Sequence, residues 1–311
     1  MTKSKPIFYV KKPGFQTTFQ DLGRHGFQQF GVVTSGAMDT FSLRVANLLV
    51  GNKQDEAAME ITMIGPELEA VSPITIAICG ADLSPTINGQ SITNWKTFRM
   101  KEGDLLSFGI PKNGVRTYLA VKGGFDIPVV LGSKSTYLRA KLGQKVEKGS
   151  ILLGWPSTNN RDIGLKQSMI PNYEREAEVN YIQDPHSNQF TKESLETFSK
   201  QTYVVASQSD RMGYRLQGAP IRHQNGADIW SSAVPLGGIQ VPSNGQPIIL
   251  MADRQTTGGY TRIATVISTD IPKVAQLPPG GKIKFRPITI KEAHKKYVEH
   301  EKFVRRIGIN G

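Results

Sequence analysis

The sequence predicts a mainly β protein of two lobes, and three observations predict it. From residue 59 to 154 the pattern is that of strands throughout, with Ile74, Ile76 and Ile78 alternating as a half-buried strand does. Asn88-Gly89, set between the segments 85–87 and 90–92, is the sequence of a two-residue hairpin turn. A glycine turn leading into an alternating strand that ends in Phe stands at 103–108 and again at 280–285, with a weaker copy at 149–153, as two similar β lobes would show. The lobes are drawn as residues 1–200, which include a polar connector, and 201–311, which include a basic terminal helix, with the chain free to cross between them.

In order, 6–10 reads as a strand that Pro13-Gly14 ends, and 15–19 as a second. The turn that follows, Gln20 to Gly26, displays Asp21, Arg24 and His25; a histidine there can act as a base near neutral pH, but one so flanked by glycine reads as a surface or structural residue. Asp39 is a suitable N-cap for a helix over 40–50, with Phe41, Val45, Leu48 and Leu49 as its apolar stripe and Gly51 just past its end. Ser35 and Asp39 therefore sit at a helix N-terminus, where exposed N–H groups favour anions, although Asp39 can equally serve as the cap alone. Strands at 105–108 and 118–121 follow, and 129–131 reads as a buried strand opening into the polar run 132–139. Residues 155–201, with Asn159-Asn160-Arg161 and one short helix after Thr191, read as the connector. Strand 203–206 leads into Ser209-Asp210-Arg211, whose charges read as a paired turn, and Thr289 with Glu292 opens the terminal helix as a capping box.

The stretch 237–260 carries the most chemistry. Its apolar middle, 247–252, is a buried strand, and Asp253, Arg254, Gln255, Thr256 and Thr257 follow in succession before Gly258-Gly259, read as a turn or a close approach, and Tyr260. A rigid strand that ends in acid, amide and hydroxyl groups is a suitable support for a small-molecule site.

Composition narrows the classes. The 311 residues carry a net charge of +12, with the basic residues scattered rather than blocked and without the aromatic interleaving or helix spacing of a nucleic-acid module. A positive field that attracts anionic substrates or an acidic partner is the simpler reading. No apolar run approaches the ~20 residues of a membrane span, and the N-terminus lacks a signal-peptide core, so neither nucleic acid nor membrane is expected as a partner. One cysteine, Cys79, suits a cytoplasmic protein without disulfides. Gly132-Ser133-Lys134-Ser135 lacks the glycines of a phosphate loop, the serine-hydrolase elbow is missing, and no metal motif is present.

Four segments, FQDLGRHGFQQFGVVTSGAMD, VLGSKSTYLRA, SDRMGYRLQG and IQVPSNGQPIILMADRQTTGGY, stand in an order that resembles the biotin-dependent carboxyltransferase family. That family takes in the C subunit of 5-oxoprolinase, the carboxyltransferase part of urea amidolyase and the Kip-type antagonist of a sporulation-kinase inhibitor. The resemblance covers about residues 6 to 290 and implies two cyclophilin-like β-barrel lobes with a few short helices. It implies work with two 5-oxoprolinase partners, a Kip inhibitor-like B subunit and an A subunit, hydrolysing 5-oxo-L-proline to L-glutamate at the expense of ATP, which either partner could bind. The alternatives within the resemblance are carboxyl transfer to urea or a related amide, which needs biotin on a separate carrier because this chain has no A-M-K-M segment, and a regulatory protein that antagonises its partner. For a planar amide or lactam, Arg139 and Arg211 are the expected anion clamps, since guanidinium meets carboxylate or phosphate through paired donors. Asp253 and Gln255 are expected to hold the amide nitrogen and oxygen, and Ser135, Thr256 and Tyr260 to donate hydroxyls. Asp39, Arg24 and Asp21 complete the set, and all these loops are expected to converge on one crevice.

Overall fold

The computed structural model describes residues 3–158 and 162–309, so Asn159-Asn160-Arg161 lies outside the described residues. The mainly β class holds. The chain divides into two compact units, one made of Met1–Arg24, Ser35–Tyr173 and Lys302–Gly311 and the other of His25–Thr34 and Glu174–Glu301. The division therefore falls after Tyr173 rather than at 200. Residues 174–200 are no connector: strand Glu176–Gln183 pairs antiparallel with Arg262–Val266 and parallel with Lys282–Pro287, which makes it a member of the second unit's barrel. The expected crossing occurs twice, through 25–34 and through the terminal helix.

In the first unit a six-stranded sheet runs in the order Ile151–Gly154, Lys5–Lys12, Glu67–Ala70, Leu105–Ser107, Thr86–Ile87, Gln90–Ser91. A five-stranded sheet runs in the order Gln16–Gln20, Ala58–Thr62, Asn113–Val121, Ile74–Asp82, Lys96–Met100. Phe8 and Val10 from one sheet and Met59, Ile61, Ile76 and Leu119 from the other are fully buried in one cluster, which is this unit's core. Ile74, Ile76 and Ile78 join that cluster, as their alternation requires. The strand is nevertheless buried on both faces, because the smaller Ala77 and Cys79 pack with helix α1 (Thr40–Leu49) through Phe41 and Val45. Asn88 and Gly89 have φ of 53° and 77°, the left-handed pair that the hairpin turn needs.

One expected strand is absent. Residues 129–131 form a loop whose only pairing is an isolated bridge from Val130 to Ser133. Val129 and Leu131 are exposed, and Leu131 has φ 52°, which no strand residue adopts. Apolar residues alone were the signal there, and they face solvent.

The second unit is a closed barrel in the order Glu176–Gln183, Arg262–Val266, Gly238–Gln240, Ile248–Leu250, Gly213–Gln217, Thr202–Val205, Lys282–Pro287. Helix α2 (Lys192–Lys200), capped by Thr191 Oγ1, sets Phe198 against Phe285, ring centroids 4.6 Å apart, with Tyr181 and Tyr203 edge-on around them. Burial and packing of that one phenyl ring contribute roughly 2–3 kcal/mol. Outside the barrel, Asp228–Ala233 and Thr257–Tyr260 pair as a two-stranded ribbon. Gly258-Gly259 thus lies in a strand, not in a sharp turn. A short helix, α3 (Ile271–Ala275), precedes the last barrel strand, and α4 (Ile290–Ile309) begins with Thr289 and Glu292 exchanging the two hydrogen bonds of a capping box. No described helix is long and apolar enough to cross a membrane.

Candidate functional site

The expected site residues fall into clusters, each within one unit. In the first unit Asp21 Oδ1 accepts from Ser133 Oγ at 2.7 Å, Ser135 Oγ at 2.5 Å and Gly23 N–H at 2.8 Å, while Oδ2 accepts from Lys134 N–H at 2.6 Å. Arg24 Nε donates to the Val130 carbonyl and Nη2 to the Ser135 carbonyl, both at 2.9 Å. Arg24 and Ser135 are fully buried and Asp21 nearly so. This arrangement fastens the turn 20–24 to the loop 130–136. In this structure the three act as braces between the two segments.

Asp39 serves as a helix cap. Its carboxylate accepts from Ser42 N–H at 2.9 Å, Ser42 Oγ at 2.7 Å and Tyr173 Oη at 2.9 Å, which satisfies the N-terminus of α1. Its own N–H donates to Tyr118 Oη, which donates in turn to Glu60 at 2.7 Å. Burial, with the nearby Glu60 and Asp39 carboxylates, drives the Tyr118 phenol well above its ordinary value, and burial then Asp39 do the same at Tyr173. These phenols stay protonated and hold the helix in place. Arg139 is exposed on the single turn Leu138–Ala140 of the same unit.

In the second unit Arg211 and Asp253 form a buried two-pronged ion pair, Nε to Oδ2 at 2.8 Å and Nη2 to Oδ1 at 3.0 Å, and the Asp253 N–H donates to the Arg211 carbonyl at 2.8 Å. Arg211 meets Asp253, and the Asp210 carboxylate accepts from the N–H groups of Met212 and Gly213. Anion clamp and amide holder were the expected roles of Arg211 and Asp253, and here each satisfies the other. Removing either partner would leave a buried charge, at a cost of about 3–5 kcal/mol. What the pair does is pin the strand end from which the next residues project.

Those residues, Arg254, Gln255 and Thr256, line a cavity of about 330 Å³ together with Gln28, Thr34, Ala233, Val234 and Pro235. That size suits a small molecule. Gln255 Nε2 donates to Gln240 Oε1 at 3.3 Å, which leaves the Gln255 Oε1 acceptor for a ligand. Gln240 is 2% exposed, and a Cβ on Gly258 would meet its Nε2, so glycine at 258 leaves the carboxamide in place behind Gln255. The glycine's close approach is thus to a side chain of the protein itself. Tyr260, on the ribbon, is 41% exposed and is absent from the lining.

Arg254, Gln28, Thr34 and Gln240 were not among the expected site residues. Arg254 was visible in the run 253–257, but nothing local distinguished it from a surface cation. Gln28 and Thr34 reach this cavity because 25–34 crosses into the second unit, a tertiary event without a local signal. A wider groove of about 520 Å³ in the first unit, lined by Leu48, Asn52 and Asp55 and by Val304, Arg305 and Gly308 at the end of α4, contains none of the expected residues. Among the described residues no group of three His, Cys, Asp or Glu side chains is placed to hold a metal ion.

Residues 30–287 match the family model described as the carboxyltransferase domain, subdomain A and B. The chain belongs to that family. It is 37% identical over 305 residues to the C subunit of 5-oxoprolinase from Escherichia coli K12, covering 96% of each chain, and 33% identical over 294 residues to the same subunit of Haemophilus influenzae, covering 94% of each. Its fold is that of part of the Kluyveromyces lactis urea amidolyase, with a TM-score of 0.91 and 29% identity over 99% of this chain but only 20% of that one. This carboxyltransferase-family chain therefore matches the 5-oxoprolinase chains end to end and spans about a fifth of the urea enzyme.

Proposed function

We propose that this chain is the C subunit of an ATP-dependent 5-oxoprolinase, acting in the cytoplasm with the A and B subunits to hydrolyse 5-oxo-L-proline to L-glutamate, and that the cavity of its second unit holds the lactam. The observation that carries this reading is the end-to-end match with 5-oxoprolinase C subunits, 96% of both chains in one case. In the cavity Gln255 Oε1 accepts the lactam N–H and Thr256 Oγ1 donates to the lactam oxygen, while the Arg211–Asp253 pair fixes the strand end that carries both. Preorganised donors of this kind stabilise the charge that develops on the oxygen as water adds to the carbonyl carbon and the C–N bond breaks. A cavity of about 330 Å³ with one guanidinium is small and lightly charged for a nucleoside triphosphate, so ATP is assigned to one of the partners. Arg139, exposed and in the first unit, is left as a candidate contact for a partner or an anion.

A second reading, carboxyl transfer to urea or a related amide from biotin on a separate carrier, is favoured by the similarity to the urea amidolyase structure. The two separate in one experiment. The chain is purified with and without the A and B subunits, and glutamate release from 5-oxoproline is measured in parallel with ATP-dependent carboxylation of urea. Glutamate release that needs all three chains is expected. Urea carboxylation in its place supports the second reading, and partner binding without either product supports a regulatory role.

A further inference from the structure

The second unit contains three arginines set well into the protein, and one of them differs from the others. Arg211 pairs with Asp253 at 2.8 Å and Arg262 with Asp184 at 3.0 Å. Arg254 has neutral partners: Nε donates to the Val234 carbonyl at 3.1 Å, and Nη1 points to the Met251 carbonyl at 3.5 Å. No carboxylate pairs with it among the described residues, and burial alone draws its guanidinium below the ordinary value, with no acid to oppose the shift. It stays a cation at neutral pH all the same. Buried cations are ordinarily paired, because desolvating an unpaired one is costly. Here the two carbonyls orient the guanidinium and leave its full charge on the wall of a cavity whose other polar groups, Gln28, Thr34, Gln255 and Thr256, are neutral and suit an amide.

We propose that Arg254 binds a carboxylate, so that the cavity selects a small planar molecule bearing a carboxylate beside its amide and discriminates against a neutral amide such as urea. This rests on the reading of the cavity as the lactam site and adds the residue that determines its specificity. Two sources could bring a carboxylate here, the lactam acid itself or bicarbonate as a carboxyl donor, and the test separates them.

Calorimetric titration of the full-length chain is carried out with 5-oxo-L-proline, with 2-pyrrolidinone as the same ring without the carboxylate, with urea and with bicarbonate. The wild-type chain is expected to prefer 5-oxo-L-proline over 2-pyrrolidinone by at least tenfold. Arg254→Gln is expected to lose roughly 10–100-fold for 5-oxo-L-proline and to leave 2-pyrrolidinone unchanged, in line with a charge-assisted pair. Arg254→Lys, which retains the charge and not the fork, is expected to fall between the two and guards against a folding defect in the glutamine variant. Bicarbonate binding that Arg254→Gln abolishes, without 5-oxo-L-proline binding, upholds the carboxylate site and counts against the 5-oxoprolinase reading. Equal affinity of wild type and Arg254→Gln for every carboxylate, or no carboxylate binding by the wild type, overturns the proposal, whatever the reconstituted complex gives for turnover.

Discussion

The clusters around Asp21 in the first unit and around Asp253 in the other unit are alike in composition, each with an acid, an arginine and hydroxyl residues, yet the structure uses them differently. Asp21, Arg24 and Ser135 are buried and direct hydrogen bonds to one another and to the loop 130–136. In the second unit one acid and one arginine also close on each other, but the three residues after Asp253 turn to a cavity, with an arginine that meets no acid and a glutamine that keeps an acceptor. Burial and polarity are common to both. The second cluster directs hydrogen-bonding capacity into open volume, and that is the mark of a binding site.

Substitutions can break this comparison, beginning with the largest effect. Asp253→Ala strands the Arg211 guanidinium and is expected to lower stability by about 3–5 kcal/mol in a denaturant titration, so that any loss of turnover accompanies unfolding. Ser133→Ala removes a hydrogen bond to the Asp21 carboxylate and is expected to cost roughly 1.5–3 kcal/mol by the same titration while 5-oxo-L-proline affinity stays at the wild-type level. A change in affinity there would mean that the first cluster is more than a brace. Gly258→Ala is expected to cost only about 1 kcal/mol, because the end of the Gln240 side chain can swing aside, yet to weaken ligand binding severalfold by displacing Gln255. Unchanged affinity would separate Gln240 from the site.

The smallest effect is one of pH. His223 packs on Phe190 and lies 3.0 Å from the Val241 carbonyl, and burial lowers its value more than that carbonyl and Asp228 raise it. Below its ordinary value of about 6.5 the unfolded chain binds the proton better than the folded one does. The stability it contributes is thus fully present above that pH and is lost as the pH falls through the depressed folded value. His223→Gln is expected to flatten the stability curve between about pH 7 and 5, and a curve of unchanged slope would assign that dependence to other groups.

Much of the fold was legible because its signals are local. The Asn88-Gly89 turn, the Asp39 cap of α1 and the Thr289–Glu292 box each need only a few adjacent residues. Strand 129–131 failed because apolar character alone does not say which way a side chain faces. The boundary at 200 failed because the polar sequence of Glu176–Gln183 hides a barrel strand whose partners lie some 80 or more positions away, at Arg262–Val266 and Lys282–Pro287. The candidate site was half legible. The run 253–257 stood out, but the pairing of Asp253 with Arg211, 42 residues apart, and the entry of Gln28 and Thr34 through a crossing segment arise only in the folded chain.

The most direct measurement is a crystal structure of the full-length chain with 5-oxo-L-proline bound. The lactam is expected against Gln255 and Thr256, with its carboxylate on Arg254. Ordered ligand elsewhere on the molecule, with this cavity holding only solvent, would contradict the assignment of the site.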